Sequence, residues 1–349
     1  MRKLIEIAHH LDDYECMWNG IEDLYICDTG EKLPPSLFFV LASFGSFCYM
    51  KTNKSDLKRM VALGDGRTKQ MYAFLSPIIG FDYKHYEYST FEKALSKAKA
   101  EIDAEHPCVL GALDMYYLPY FTKLYHTEHI PFHYVLMVGY DDDNGCIYIN
   151  DCGRKDSLTL SYDELKLAWD CSYPGLSKPN TVCTIRMHSK KSKYEIAKEA
   201  FAKKRELFLN APVGFIGYRG FEKFIAELPN WKNEFSKEEY DKLLFNMVQF
   251  FGSVPTVPNA LLGINEPDEV AFGGGFDKMS VVLSQLGAEY DDRKMTEASM
   301  IFGEGAAVVS RIKDVIADYL TNKNDQTEEM PELFTKVMLI LKNGFVSLT

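Results

Sequence analysis

The hydrophobic period of this chain changes near residue 189, and that change limits its possible folds more than any other feature. Before it, short β-branched and aromatic runs bounded by turn residues stand at 106–114 (HPCVLGALD), 133–141 (HYVLMVGYD), 146–151 (CIYIND) and 181–187 (TVCTIRM). Such runs predict strands. DDDNG at 141–145 predicts a hairpin turn between the second and third, because Asn-Gly tolerates positive φ. Helical patterns flank the strands at 16–26, 35–47, 91–104 and 162–169, the last with Ser161 as its N-cap. Beyond residue 189 apolar residues recur every three or four positions at 193–209, 236–252, 276–290 and 295–320, which predicts helices alone. A Pro- and Gly-rich stretch at 252–275 separates two helical groups and is long enough to close over something. The expectation is an α+β domain over 1–188, an antiparallel sheet with helices, followed by an all-α domain over 189–349.

The chemistry-bearing residues follow the same division. All eight cysteines and all eight histidines lie before residue 189, so thiol or imidazole chemistry belongs to the first domain. A net charge of −11 excludes a general nucleic-acid binder, which needs clustered Lys and Arg. KKSK (190–193) and KKR (203–205) read as solvated helix faces. No apolar run reaches the length of a membrane span, and MRKLIEIAHHLDD lacks the apolar core of a signal peptide. No two cysteines form a CxxC pair, so neither a simple zinc site nor a redox pair is expected. Reduced thiols and a cytoplasmic location are the expectation.

Within YECMWNGIEDLY (14–25), Cys16 precedes an amphipathic helix with Met17, Ile21 and Leu24 on one side and Asn19 and Glu22 on the other. A thiol at a first helical turn meets unpaired N–H groups and the positive end of the dipole, which favour the thiolate. A buried packing cysteine is the alternative. His133 opens the strongest strand, where a polar residue is unexpected unless it faces a cleft. CIYIND ends in Asn150 and Asp151, one strand along, and either could fix the tautomer of His133. LDMYYLPYF (113–121) offers a carboxylate, Asp114, beside an aromatic wall of Tyr116, Tyr117 and Tyr120, suited to binding a polar or cationic small substrate. His126, His129 and His133 match no standard zinc spacing, so no metal and no cofactor is expected. GDGR (64–67) and GGG (273–275) lack the context of a phosphate cradle. His9 and His10 read as surface or cap residues, although His10 or Asp12 could reach the region of Cys16.

The order Cys16, His133, then Asn150 or Asp151, with separations of 117 and, to Asp151, 18 residues, is that of papain-like hydrolases. ECMWNGIEDLY, ASFGSFCYM, PCVLGALDMYYLPY, HYVLMVGYDDDNGCIYINDCG and SYDELKLAW together resemble the N-terminal domain of the butirosin biosynthesis protein H family, over about residues 8–188. FGGGFDKMSVVLSQLGAEY is similar to the C-terminal domain that accompanies it. The resemblance implies a papain-like cysteine peptidase fold with Cys16 as nucleophile, His133 as base and Asp151 as orienting group. It also implies acyl transfer from an acyl carrier protein thioester to an amine on a small molecule, in specialised-metabolite biosynthesis. Where the family places a His before the cysteine, this chain has Glu15.

Two rivals stand beside the cysteine acyltransferase. One is a peptidase or amide hydrolase of the same fold. The other is a catalytically inactive binding protein, favoured by Glu15 because a carboxylate beside Cys16 opposes the thiolate. The acidic chain suits a small free acyl donor better than an acidic carrier protein. Homo-oligomerisation is left open.

Overall fold

The computed structural model describes residues 1–10, 16–53, 57–172, 178–249, 275–322 and 324–348. The chain forms two compact units, Met1–Leu33 with Arg67–Lys193 and Pro34–Gly66 with Tyr194–Thr349. Residues 34–66, which the compositional boundary assigns to the first domain, therefore belong to the second unit. The stretch 252–275 lies, but for Gly275, outside the described residues.

The first unit opens with β1 (Arg2–Leu4) and α1 (Cys16–Thr29). The chain then passes through α2 (Leu37–Ala42), β2 (Phe44–Lys51) and β3 (Arg59–Gly64) of the second unit. It returns as α3 (Thr68–Ile79), β4 (Phe81–Glu87), α4 (Phe91–Asp103), β5 (Cys108–Leu113) and a 3-10 turn at Met115–Tyr117. β6 (His133–Asp141), β7 (Cys146–Asn150), β8 (Leu158–Ser161), α5 (Tyr162–Trp169) and β9 (Thr181–Met187) complete it. The sheet is antiparallel throughout, in the order β4-β9-β5-β6-β7-β8. β1 pairs with β6 past the end of β5, Arg2 opposite Asp141 and Leu4 opposite Gly139. The unit is α+β, as the strand and helix patterns require.

Local chemistry sets the elements around the sheet. At the β6–β7 turn the Asp141 side chain accepts from the backbone N–H groups of Asp143 (3.0 Å) and Asn144 (3.3 Å), and Gly145 takes φ 62°. Ser161 and Glu164 cap α5 reciprocally, a capping box. Ala94, Ala98 and Ile102 of α4 and Leu165, Ala168 and Trp169 of α5 bury the face of the sheet formed by Leu110, Val135, Met137, Ile147, Ile149 and Val182. Burying each large aliphatic side chain contributes about 1.5–3 kcal/mol. Leu136 points the other way from Val135 and Met137, and α1 meets it there. A Cβ on Gly20 would stand 3.0 Å from the Leu136 Cβ, so a residue with no side chain lets α1 close on β6.

In the second unit the apolar run at 35–47 is not one helix. α2 ends at Ala42, and Phe44–Lys51 pairs with β3, with a register shift between Phe44 and Cys48. A run apolar at nearly every position carries neither period, and Gly45 at φ 76° turns the chain from helix to strand. Phe47 stacks on Phe221 of α7 (Gly217–Glu227), centroids 3.7 Å apart. Before it runs α6 (Lys193–Leu209); after it come the short α8 (Trp231–Glu234), α9 (Lys237–Gln249), α10 (Phe276–Glu289), α11 (Arg293–Asn322) and α12 (Met330–Ser347). Buried Lys204 of α6 donates to the carbonyl oxygens of Ala42 (2.9 Å) and Phe44, a cation at the C-terminal end of α2. No described helix is long and apolar enough to cross a membrane.

Candidate functional site

Cys16 is the first residue of α1 and half-buried. The first N–H groups of a helix have no intrahelical acceptor, so this end presents donors where the thiol sits. The Cys16 Sγ lies 3.8 Å from the carbonyl oxygen of Phe132, against the start of β6. The helix is not amphipathic in its first turns: Asn19, Glu22 and Asp23 are buried beside Met17, Trp18 and Ile21. Asn19 and Glu22 therefore do not form a solvent face. Glu15 and Asp12 lie outside the described residues.

His133 and Asp151 form a buried pair, 4 % and 1 % exposed. The imidazole Nε2 lies 2.7 Å from Oδ2 and 2.9 Å from Oδ1 of Asp151. An ionised carboxylate only accepts, so Nε2 carries a proton and Nδ1 is the nitrogen left to face Cys16. The thiol, against the Phe132 carbonyl, stands next to the residue that carries this ring. Burial, the largest influence, pulls the His133 pKa down, but the charges of Asp151 and Cys16 and their hydrogen bonds outweigh it and raise it above 6.5. Asn150, the other candidate for the orienting group, faces elsewhere. It accepts from Ser157 Oγ at 2.6 Å and donates to Asp23 at 3.4 Å. Leu136 of β6 stands opposite Asn150 at the end of β7, and the next residue is Asp151. The β6–β7 pairing thus brings Asp151 to the end of the sheet where His133 stands.

The segment after β5 borders this pair through Tyr120 and Phe121. Phe121 meets the His133 ring edge-on, centroids 5.0 Å apart. The Tyr120 hydroxyl is buried near Asp151 but makes no well-aligned hydrogen bond. Burial, then the Asp151 charge, push its pKa well above 10. Arg154 donates to the carbonyl oxygen of Tyr120 (3.2 Å) and lies over the Phe121 ring. Asp114 is held in its own turn. Its carboxylate accepts from the N–H groups of Tyr116 (3.1 Å) and Ile130 (3.0 Å) and lies 2.6 Å from His129 Nδ1. Tyr116 stacks on His129 with centroids 4.0 Å apart, and Tyr117 packs edge-on to Tyr116. Asp114, Tyr116 and Tyr117 thus form a cluster around His129, while Tyr120 reaches the His133–Asp151 pair. Potential metal-ligand atoms of His133, Asp151 and Cys152 lie within 4.8 Å of one another; the His133 Nε2 and the Asp151 carboxylate are already paired.

His9 and His10 do not read correctly as surface residues, their side chains being 9 % and 14 % exposed. His9 Nδ1 lies 2.8 Å from Asp23 Oδ2. Its Nε2 lies 2.8 Å from the carbonyl oxygen of Arg154 and 3.2 Å from that of Asp151. Asp23 also accepts from the His10 N–H at 2.5 Å. Burial, the largest influence, lowers the His9 pKa, but Asp23 and the two carbonyls outweigh it and raise it. The sequence signal for this cluster was the helical spacing of Cys16, Asn19 and Asp23.

Comparison with known proteins agrees with this architecture. Residues 15–152 match the N-terminal domain of butirosin biosynthesis protein H, and residues 163–256 match a domain of unknown function (DUF4872). The chain thus carries the N-terminal domain of the butirosin biosynthesis protein H family over residues 15–152, followed by the domain of unknown function. It is also similar to the uncharacterized protein YobF of Bacillus subtilis (strain 168), 28 % identical over 217 residues. That match covers 59 % of this chain and 66 % of YobF, just under two thirds of the relative's length.

Proposed function

We propose that the first unit is a papain-like thiol enzyme, with Cys16 as nucleophile, His133 as acid and base and Asp151 as the group that orients His133. Its reaction is acyl transfer to an amine on a small molecule, in specialised-metabolite biosynthesis. One observation carries this reading: the bidentate approach of Asp151 to His133 Nε2 leaves Nδ1 for the thiol at the start of α1. The Cys16 proton passes to Nδ1 as Sγ bonds to the acyl carbonyl carbon. Backbone N–H groups at the start of α1 stabilise the oxyanion. The leaving group takes the proton from His133 as its bond to carbon breaks, giving the acyl-enzyme. An amine then attacks, His133 Nδ1 accepts its proton, and the C–S bond breaks to give an amide, the proton passing from Nδ1 back to the Cys16 sulfur. Phe121 against His133 supplies an apolar wall that favours an amine over water. Tyr116, Tyr117, Tyr120 and Asp114 are the candidate acceptor-binding residues, and a small free acyl donor suits an acidic chain.

The intact mass of the protein after exposure to a panel of acyl thioesters tests this. A stable adduct mapping to Cys16, and released as an amide by an added amine, is the expected result. Release by water alone makes the enzyme a hydrolase of the same mechanism. Full activity of Cys16→Ala on every donor tried refutes the reading.

A further inference from the structure

The His9–Asp23 pair links the two ends of the candidate site. Asp23 lies on α1, seven residues after Cys16 on the same helix. The carbonyls that His9 faces belong to Asp151 and Arg154, in the turn that carries the acidic partner of His133. A carbonyl oxygen cannot donate, so His9 Nε2 carries a proton for both. Nδ1 faces a carboxylate oxygen, so a second proton lies between Nδ1 and Asp23. The ring is therefore an imidazolium paired with Asp23, donating to both sides at once. No neutral imidazole could do this opposite an ionised Asp23. Asn150 adds a parallel tie from the end of β7 to Asp23.

We infer that His9, as an imidazolium held by Asp23, is a positioning residue that locks the Asp151–Arg154 turn to the helix bearing Cys16 and so aims Asp151 at His133. The inference rests on the thiol-enzyme reading for its functional meaning, but the aim of Asp151 can be measured without any activity. The groups facing His9 are Asp23 on α1 and the Asp151 and Arg154 carbonyls in the turn; Asn150 at the end of β7 meets Asp23, and His10, next in the chain, approaches Glu22. Losing the shared proton would leave a buried lone pair against a carboxylate, loosening the turn as pH rises.

The test compares His9→Ala, Asp23→Asn and, as a control, Ser161→Ala at the far capping box of α5. Two readouts are used: the low-field proton signal of the His133–Asp151 hydrogen bond, assigned by its loss in Asp151→Asn, and the iodoacetamide alkylation rate of Cys16 from peptide masses. In folded His9→Ala and Asp23→Asn the His133 signal is expected to shift or broaden away. Cys16 alkylation at pH 6 should fall about tenfold to a hundredfold, the scale of a 1 Å misplacement. Ser161→Ala should lower the melting temperature while leaving both readouts at wild-type values, which a generally destabilising effect would not do. Wild-type signal and labelling in His9→Ala or Asp23→Asn overturns the inference. Unfolding of both variants while Ser161→Ala folds also overturns it, making the pair a folding element instead. An unreactive Cys16 in the wild type would defeat the thiol-enzyme reading alone, since the His133 signal still decides the role of His9.

Discussion

Replacing Asp151 by Asn isolates what the carboxylate does for His133. The substitution keeps the shape and a hydrogen-bond acceptor but removes the negative charge from both contacts, at 2.7 and 2.9 Å. A hydrogen bond to a charged group contributes about 1.5–3 kcal/mol, and each 1.36 kcal/mol corresponds to one pKa unit. The His133 pKa should therefore fall by about one to two units. Burial, already its largest influence and a lowering one, would then act without its main opponent, so the pKa should fall from about 10 toward its ordinary value. The sign for stability follows. In the wild type the folded pKa is raised, so the His133 contribution is complete below the unfolded value near 6.5 and is lost as pH rises through the folded value. Asp151→Asn should shrink that contribution, so the stability gap between the two proteins narrows on going alkaline. NMR titration of the His133 imidazole measures the pKa directly, and Cys16 alkylation should fall about tenfold to a hundredfold as the thiolate–imidazolium pair gives way to the neutral pair. An unchanged His133 pKa would show that Asp151 does not hold the ring, and the proposed roles would fail with it.

Gly20→Val places branched carbon where a single Cβ already stands 3.0 Å from Leu136; it should destabilise the fold by about 1–3 kcal/mol in urea unfolding. Lys204→Met, which leaves the Ala42 and Phe44 carbonyls without their buried donor, should cost about 1–3 kcal/mol by the same measurement and leave Cys16 labelling unchanged.

Strands β6 and β9 could be read to the residue because each is a compact β-branched or aromatic run between turn signals. The α1 helix and the Ser161 N-cap of α5 were visible for the same local reasons. The run from 35 to 47 could not be read, since a stretch buried on every side shows neither a helical nor a strand period. Only its partner strand, β3 at Arg59–Gly64, and the φ of Gly45 decide where it bends. The assignment of Pro34–Gly66 to the second unit was hidden too, because contacts with residues beyond 193 define it. Period and composition describe neighbours in sequence, and this excursion is held by neighbours in space.

The candidate site divides along the same line. Cys16, His133 and Asp151 were legible as an ordered set of residue types on elements whose pairing a short turn dictates. Asp151 prevails over Asn150 through register alone: Asn150 sits opposite Leu136, and the chain beyond it carries Asp151 to His133. Asp114 looked free in sequence because the residues it binds, His129 and Ile130, come fifteen and sixteen positions later. His9 was hidden for the opposite reason. Two of its three partners are carbonyl oxygens, and a carbonyl belongs to every residue, so only Asp23 is marked by residue type. A candidate nucleophile and base can be sought by asking which side chains could react. The contacts of His9 to Asp151 and Arg154 run to the backbone, where the sequence carries no distinguishing letter.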